Sequence, residues 1–155
     1  MTVTSPAFAD QERIPVKHTG FGEDRSPELR IAGIPEGTAT LAVVMEDLDV
    51  PLTARFTHWI AWNIPRGEVI PEGLPRGERI ASPVSACQGI AWGKHGYRGP
   101  KPPFMIRNEH RYVFTVYALD GELQIPAGSD KKALTAAMNG HALAEATLTG
   151  RYRRP

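Results

Sequence analysis

Asp47, Asp49, His58, His110 and Tyr112 are the residues of this chain whose types and positions can do chemistry together. Asp47 and Asp49 follow directly on an apolar run at a spacing of two. In an extended segment both carboxylates can therefore point to one side, and Pro51 fixes the turn beyond them. His58 lies in an aromatic, β-branched run, while His110 and Tyr112 open another at the same two-residue spacing. Each stands at the beginning or end of a predicted strand, and strand ends converge where loops form a pocket. Pro102 and Pro103 offer that pocket a rigid wall without N–H groups, and Lys94, Arg98, Lys101 and Arg107 offer cations for an anionic ligand. An anion near a carboxylate needs more donors than acceptors around it, so such a site works when an imidazole is protonated or when the ligand brings a proton or an amine.

Taken singly, these residues have plainer uses. Aspartate favours turns, a lone histidine among aromatics is usually a satisfied core residue, and basic loop residues are usually solvated. Their joint placement at strand ends is what marks them out. As an enzyme site the set is weak: two His and two Asp can make a mixed-ligand metal site, but no His-x-x-x-His or His-x-His spacing occurs, and no Ser or Cys lies beside a recognisable base. No catalytic residue, metal or cofactor is therefore expected. Cys87 is the single cysteine, which excludes an intramolecular disulfide, a Cys-rich zinc site and a redox dithiol, and reads as a small buried residue. Nothing argues for an oxidising compartment, and a cytoplasmic chain is expected. Eighteen basic against seventeen acidic side chains leave a formal charge of +1, too little to hold nucleic acid or an anionic membrane by overall field. Any charge-based function must be local. The longest apolar run, Leu41 to Met45, is far too short for a transmembrane segment.

The elements that must position these residues are short. A chain of 155 residues has room for one domain, taken here as 1–155, and its 15 Gly and 14 Pro exclude a helix bundle or coiled coil. Leu41 to Met45 is apolar on both parities and predicts a central strand covered on both faces. Phe56 to Asn63 predicts a second strand, with Phe56, His58, Ile60 and Trp62 on one face. Arg111 to Leu119 predicts a third, with His110, Tyr112, Phe114 and Val116 sharing a face. One helix is predicted: Ser129 or Asp130 caps it, and Leu134, Ala137, Met138, His141 and Ala142 recur at helical spacing. A closing strand over Glu145 to Tyr152 follows. Residues 81–109 show no periodicity and read as a long functional loop.

Four segments in this order resemble those of the phosphatidylethanolamine-binding proteins, in particular their bacterial Raf-kinase-inhibitor-like branch. They are Asp47-Leu48-Asp49-Val50-Pro51, His58-Trp59-Ile60-Ala61-Trp62-Asn63, the Gly96 to Pro103 loop Gly-Tyr-Arg-Gly-Pro-Lys-Pro-Pro, and His110-Arg111-Tyr112; Ser26-Pro27-Glu28-Leu29 adds a weaker match. The sequence departs from that pattern at Leu48, which replaces a proline, at Ile31, where many members have Trp, and at Asn108-Glu109 before His110. The loss of a φ constraint at Leu48 leads us to expect a looser carboxylate loop. The chain also lacks a counterpart to the C-terminal extension of animal members, which leads us to expect a more open mouth.

The resemblance implies a mainly β, sandwich-like domain around a large antiparallel sheet, with Greek-key connections and one or two short helices near the C-terminus. It implies binding of a small anion or a phospholipid headgroup, such as phosphate or phosphorylethanolamine. Asp47, His58, Pro103, His110 and Tyr112 would contact the ligand, with Asp49, Pro51 and Arg111 in support. The alternatives it leaves are an inhibitor of a kinase or protease and, ranked last, a metal-assisted hydrolase. A homodimer is also expected from the resemblance, with Trp59, Trp62 and Trp92 as apolar surface unless all three are buried in the core.

Overall fold

The computed structural model describes residues 1–155. In chain order the elements are β1 (Thr2–Thr4), β2 (Leu29–Ala32), β3 (Thr40–Asp47), β4 (Phe56–Pro65), β5 (Val69–Ile70), β6 (Arg79–Ile80), β7 (Ala86–Gln88), β8 (Ile90–Ala91), β9 (Lys94–His95), β10 (His110–Leu119), α1 (Lys131–Met138) and β11 (Ala142–Tyr152). All eight residues of β3 are buried, because both faces of the strand are covered. Leu41, Val43 and Met45 enter the larger of two apolar clusters, Ala42 and Val44 the smaller.

Around β3 the chain builds one antiparallel six-stranded sheet in the order β11-β10-β3-β4-β7-β6. A three-stranded sheet, β1-β2-β5, supplies Val3, Leu29, Ile31 and Ile70 to the larger cluster. The helix α1 supplies Leu134 and Met138 to the smaller. The fold is thus mainly β and sandwich-like, with one short helix near the C-terminus. In the run β10-β3-β4-β7 the last strand of the four returns beside the first, as in a Greek key. No helix is long and apolar enough to cross a membrane.

Three local expectations change. The helix stops at Met138 rather than continuing through His141 and Ala142, because Asn139 is extended and Gly140 turns the chain; Ala142 opens β11 instead. Asp130 is the cap, its carboxylate accepting the Ala133 N–H at 2.9 Å. Residues 81–109 are not one loop, since β7, β8 and β9 lie inside the segment. Finally, β4 does not keep a strict alternation. Thr57 pairs with Glu46 but Trp59 with Met45, so His58 is an extra residue, a β-bulge. Trp59 joins the larger cluster with Met45, while Ile60 and Trp62 face the smaller one. The bulge therefore separates Phe56 and His58 from Ile60 and Trp62, which strict alternation had put on one face.

The segment that closes over this end of the sheet is fixed by bonds from the 96–100 region to the 18–24 region. The Tyr97 hydroxyl donates to the His18 carbonyl (2.6 Å), the Gly99 N–H to Asp24 Oδ1 (2.7 Å), and the Gly20 N–H to the Pro100 carbonyl (3.0 Å). A Cβ at Gly99 would meet the His18 carbonyl oxygen and lie 2.9 Å from Thr19 Cα, both backbone atoms that cannot swing aside. Gly99→Ala should lower the unfolding free energy by about 1–3 kcal/mol, the scale of an overpacked site, as read by urea denaturation. A variant as stable as the parent would show that the two segments are not locked together.

Candidate functional site

Strand pairing brings the chemistry-bearing residues to one end of the sheet. Asp47, the last residue of β3, is opposite Tyr112 on β10 and Phe56 on β4. The bulge turns His58 to the same side, and His110 precedes Tyr112 by the two positions that keep a face. Asp47, His58, Pro103, His110 and Tyr112 all line one cavity of about 170 Å³, together with Val50, Phe56, Trp92, Lys101, Pro102 and Ile106. Of the residues given supporting places, Asp49 and Arg111 lie outside the cavity lining. Pro51 is exposed on the turn, outside the lining, and Val50 fills the place beside it.

Asp47 uses both oxygens. Oδ1 accepts the Asp49 N–H at 2.8 Å, closing the turn, and Oδ2 is 2.7 Å from His110 Nδ1. Both side chains of the Asp47–His110 pair are almost fully buried. Asp49 turns away and is held in a two-pronged pair with Arg111, whose Nε and terminal nitrogen donate at 2.9 and 2.8 Å. The Arg111 backbone N–H adds a third bond at 2.8 Å. These bonds to Arg111 hold the Asp49 carboxyl below the usual carboxylate range. The Leu48 N–H donates to the Arg111 carbonyl at 2.9 Å, a bond that a proline in this position lacks and that ties the turn to β10.

The two imidazoles are set in the same sense. His58 Nδ1 is 2.8 Å from the Arg98 carbonyl, which can only accept, so that nitrogen carries the proton. His110 Nδ1 faces a carboxylate and is a donor by the same reasoning. Each ring is left with Nε2 free of protein partners, and in His110 that atom is buried. Burial pushes the His58 pKa down, against the raising influence of the Arg98 carbonyl and of Asp47. Neutral His58 therefore presents an acceptor at Nε2, and protonation converts it to a donor. Burial, with the Asp47 charge second, pushes the Tyr112 phenol far above its ordinary range, so it stays an O–H donor.

The aromatic wall was only half legible in the sequence. Phe56, Trp92 and Tyr112 pack edge-on against His58, with centroids 5.5, 5.1 and 5.3 Å away. Trp92 and Gly93 are the two residues that join β8 to β9, with φ of +49° and +69°, the left-handed pair a two-residue hairpin requires. A residue-Gly pair between two short β segments is the signal that could have identified this turn. Arg98 stacks on the Trp92 indole at 3.8 Å and donates to its carbonyl at 2.7 Å. Trp59 and Trp62 are fully buried, so of the three tryptophans only Trp92 reaches the surface. Of the basic residues marked in the sequence, Lys101 lines the cavity, Arg98 braces its wall, and Lys94 and Arg107 stand outside the lining.

A β-sandwich with an Asp/His/Tyr pocket at one sheet end defines the class of protein. The family described as phosphatidylethanolamine-binding protein matches residues 4–153. The UPF0098 protein of Pyrococcus abyssi is 43% identical over 155 residues, spanning 99% of this chain and 86% of the relative. Among solved structures, a phosphatidylethanolamine-binding-protein homologue from Chlamydia trachomatis superposes with a TM-score of 0.86 at 34% identity, covering 99% of this chain and 97% of that one. E. coli YbcL, described as a member of the mammalian PEBP family, gives 0.87 at 29% identity, covering 99% and 98%. The chain belongs to the phosphatidylethanolamine-binding protein family.

Asp47→Ala leaves the His110 Nδ1–H and the Asp49 N–H without partners and should cost about 1–3 kcal/mol of stability by chemical denaturation at neutral pH. Asp47→Asn, which retains a side-chain oxygen, should cost less. Equal losses in the two variants would mean that the negative charge, not the hydrogen bonds, holds this end of the sheet.

Proposed function

We propose that residues 1–155 act as one domain that binds a small oxyanion or a phosphate-bearing headgroup in this pocket. Asp47, His58, Pro103, His110 and Tyr112 are assigned as the contacting residues, and the cytoplasm is the compartment we assign on the single cysteine. The observation that carries the reading is the buried, partnerless Nε2 of His110, held in a cavity wall by a carboxylate on its other nitrogen. Of the buried side-chain atoms without a protein partner, this is the one whose residue lines the pocket, where an occupant can supply the hydrogen bond. The arrangement favours a ligand that brings its own proton or ammonium while His58 is neutral, as phosphorylethanolamine does, and a bare oxyanion once the ring is charged.

Sulfate, which keeps its charge over the relevant pH range, separates these states. The His58 pKa is lowered below its ordinary 6.5 in the folded chain, so the stability this residue contributes is fully present above 6.5 and is lost as pH falls from there through the lower folded value. Sulfate binds the protonated ring, so its affinity should rise over the same interval and offset the loss. Calorimetry should show this acid-strengthened binding in the parent and its disappearance in His58→Ala. His110→Ala should weaken phosphorylethanolamine binding by about 1–3 kcal/mol. Unchanged affinities in both variants would sink the assignment.

We also propose a homodimer. With Trp59 and Trp62 buried, its apolar surface would come from Leu52 and Met105, which are exposed. Sedimentation equilibrium well above micromolar concentration should give the mass of two chains; a single-chain mass there would refute the pairing.

A further inference from the structure

We infer that the protein carries a second anion site outside the pocket, in the groove bounded by Phe104, Arg107, Arg153 and Arg154, and that this groove takes a phosphate or phosphomonoester dianion. The groove has a volume of about 170 Å³ and reaches Pro155 at its end. None of its three guanidiniums has an Asp or Glu carboxylate within ion-pair distance, whereas Arg111 and Arg151, on the adjoining strands, are engaged by Asp49 and Glu109. Three cations gathered around a concavity repel one another, and a bound dianion relieves that repulsion.

Two of the guanidiniums are held in place rather than left free. Arg107 and Arg154 lie over the same Phe104 ring, 5.3 and 5.5 Å from its centroid. Arg154 also lies 5.2 Å from the Phe21 ring centre and donates to the Pro102 carbonyl at 3.1 Å. Phe21 in turn stacks on Tyr152 at 6.0 Å, and Arg13 lies over that ring at 5.3 Å. This alternation of arginine and aromatic rings orients forks whose paired N–H groups match phosphate oxygens two at a time. One loop separates the two sites: Pro102, Pro103 and Ile106 face the pocket, Phe104 and Arg107 the groove. The inference does not rest on occupancy of the pocket.

The test is a titration of the full chain with inorganic phosphate, followed by ¹H–¹⁵N spectra of the arginine Nε–H groups and the histidine rings. The Arg107, Arg153 and Arg154 resonances should saturate, and should do so equally in His110→Gln, which isolates the groove from the pocket. Arg107→Gln with Arg153→Gln should weaken the groove about tenfold or more while leaving any response of the His58 ring intact. The double lysine variant keeps both charges but not the forks; it should lose affinity less, and it serves if the glutamine pair does not fold. Arginine shifts that chloride reproduces at equal ionic strength, or that vanish with His110→Gln, would overturn the inference. Glycerol phosphate and phosphatidic acid vesicles then identify the source. Vesicle binding lost with the double variant assigns a lipid headgroup, saturation by glycerol phosphate alone assigns a soluble phosphomonoester, and no response to either overturns the site.

Discussion

The Asp47 carboxylate is the group on which the rest of this end of the molecule depends. It lies at the end of a strand with no exposed residue, where an unpaired charge would cost several kcal/mol. The chain answers with two different partners. One oxygen takes a backbone N–H and shapes the turn; the other takes an imidazole and fixes its ring. Turn chemistry and site chemistry, which compete as readings of an Asp-x-Asp segment, are here two halves of one carboxylate. The Leu48 N–H and the Asp49–Arg111 pair then tie the same turn to β10 from outside, so the strand that carries His110 and Tyr112 is registered against the one that carries Asp47.

How much of this was legible depended on whether a residue's role follows from its neighbours in sequence. The two-sided apolar run at Leu41 to Met45 and the alternation from His110 to Val116 became β3 and β10 because burial on a sheet leaves no other pattern. The faces of β4 were not legible beyond His58, because one inserted residue shifts parity and nothing in the local composition announces it. The wall made by Trp92 was missed for a related reason: the residue reaches the pocket through a two-residue hairpin between strands too short to show periodicity. The helix end was visible in Asn139-Gly140, yet the helical spacing of His141 and Ala142 pointed past it, and the demand of β11 for ten partners on β10 decided the boundary.

A net charge of +1 describes the whole molecule and hides its layout. Some cations are neutralised in place, as Arg55 and Lys131 both are by Glu46. At the pocket and the neighbouring groove Arg98, Lys101, Arg107, Arg153 and Arg154 have no Asp or Glu carboxylate at ion-pair distance, and several of them lie on aromatic rings instead. An arginine on a ring keeps its full charge while losing mobility, so these cations add a positive field at this end beside the charge of Asp47.

The backbone at Trp92 carries a cost of its own. A bulky residue at φ of +49° occupies a region that glycine and asparagine enter far more readily, and strain of this kind is of order 1–3 kcal/mol. A search for thermostable variants would therefore favour small residues at this position and, in doing so, would strip the indole from His58 and from Arg98 together. Improvement of the hairpin and preservation of the pocket pull in opposite directions at one residue, which makes position 92 a poor place to judge the protein by its melting temperature.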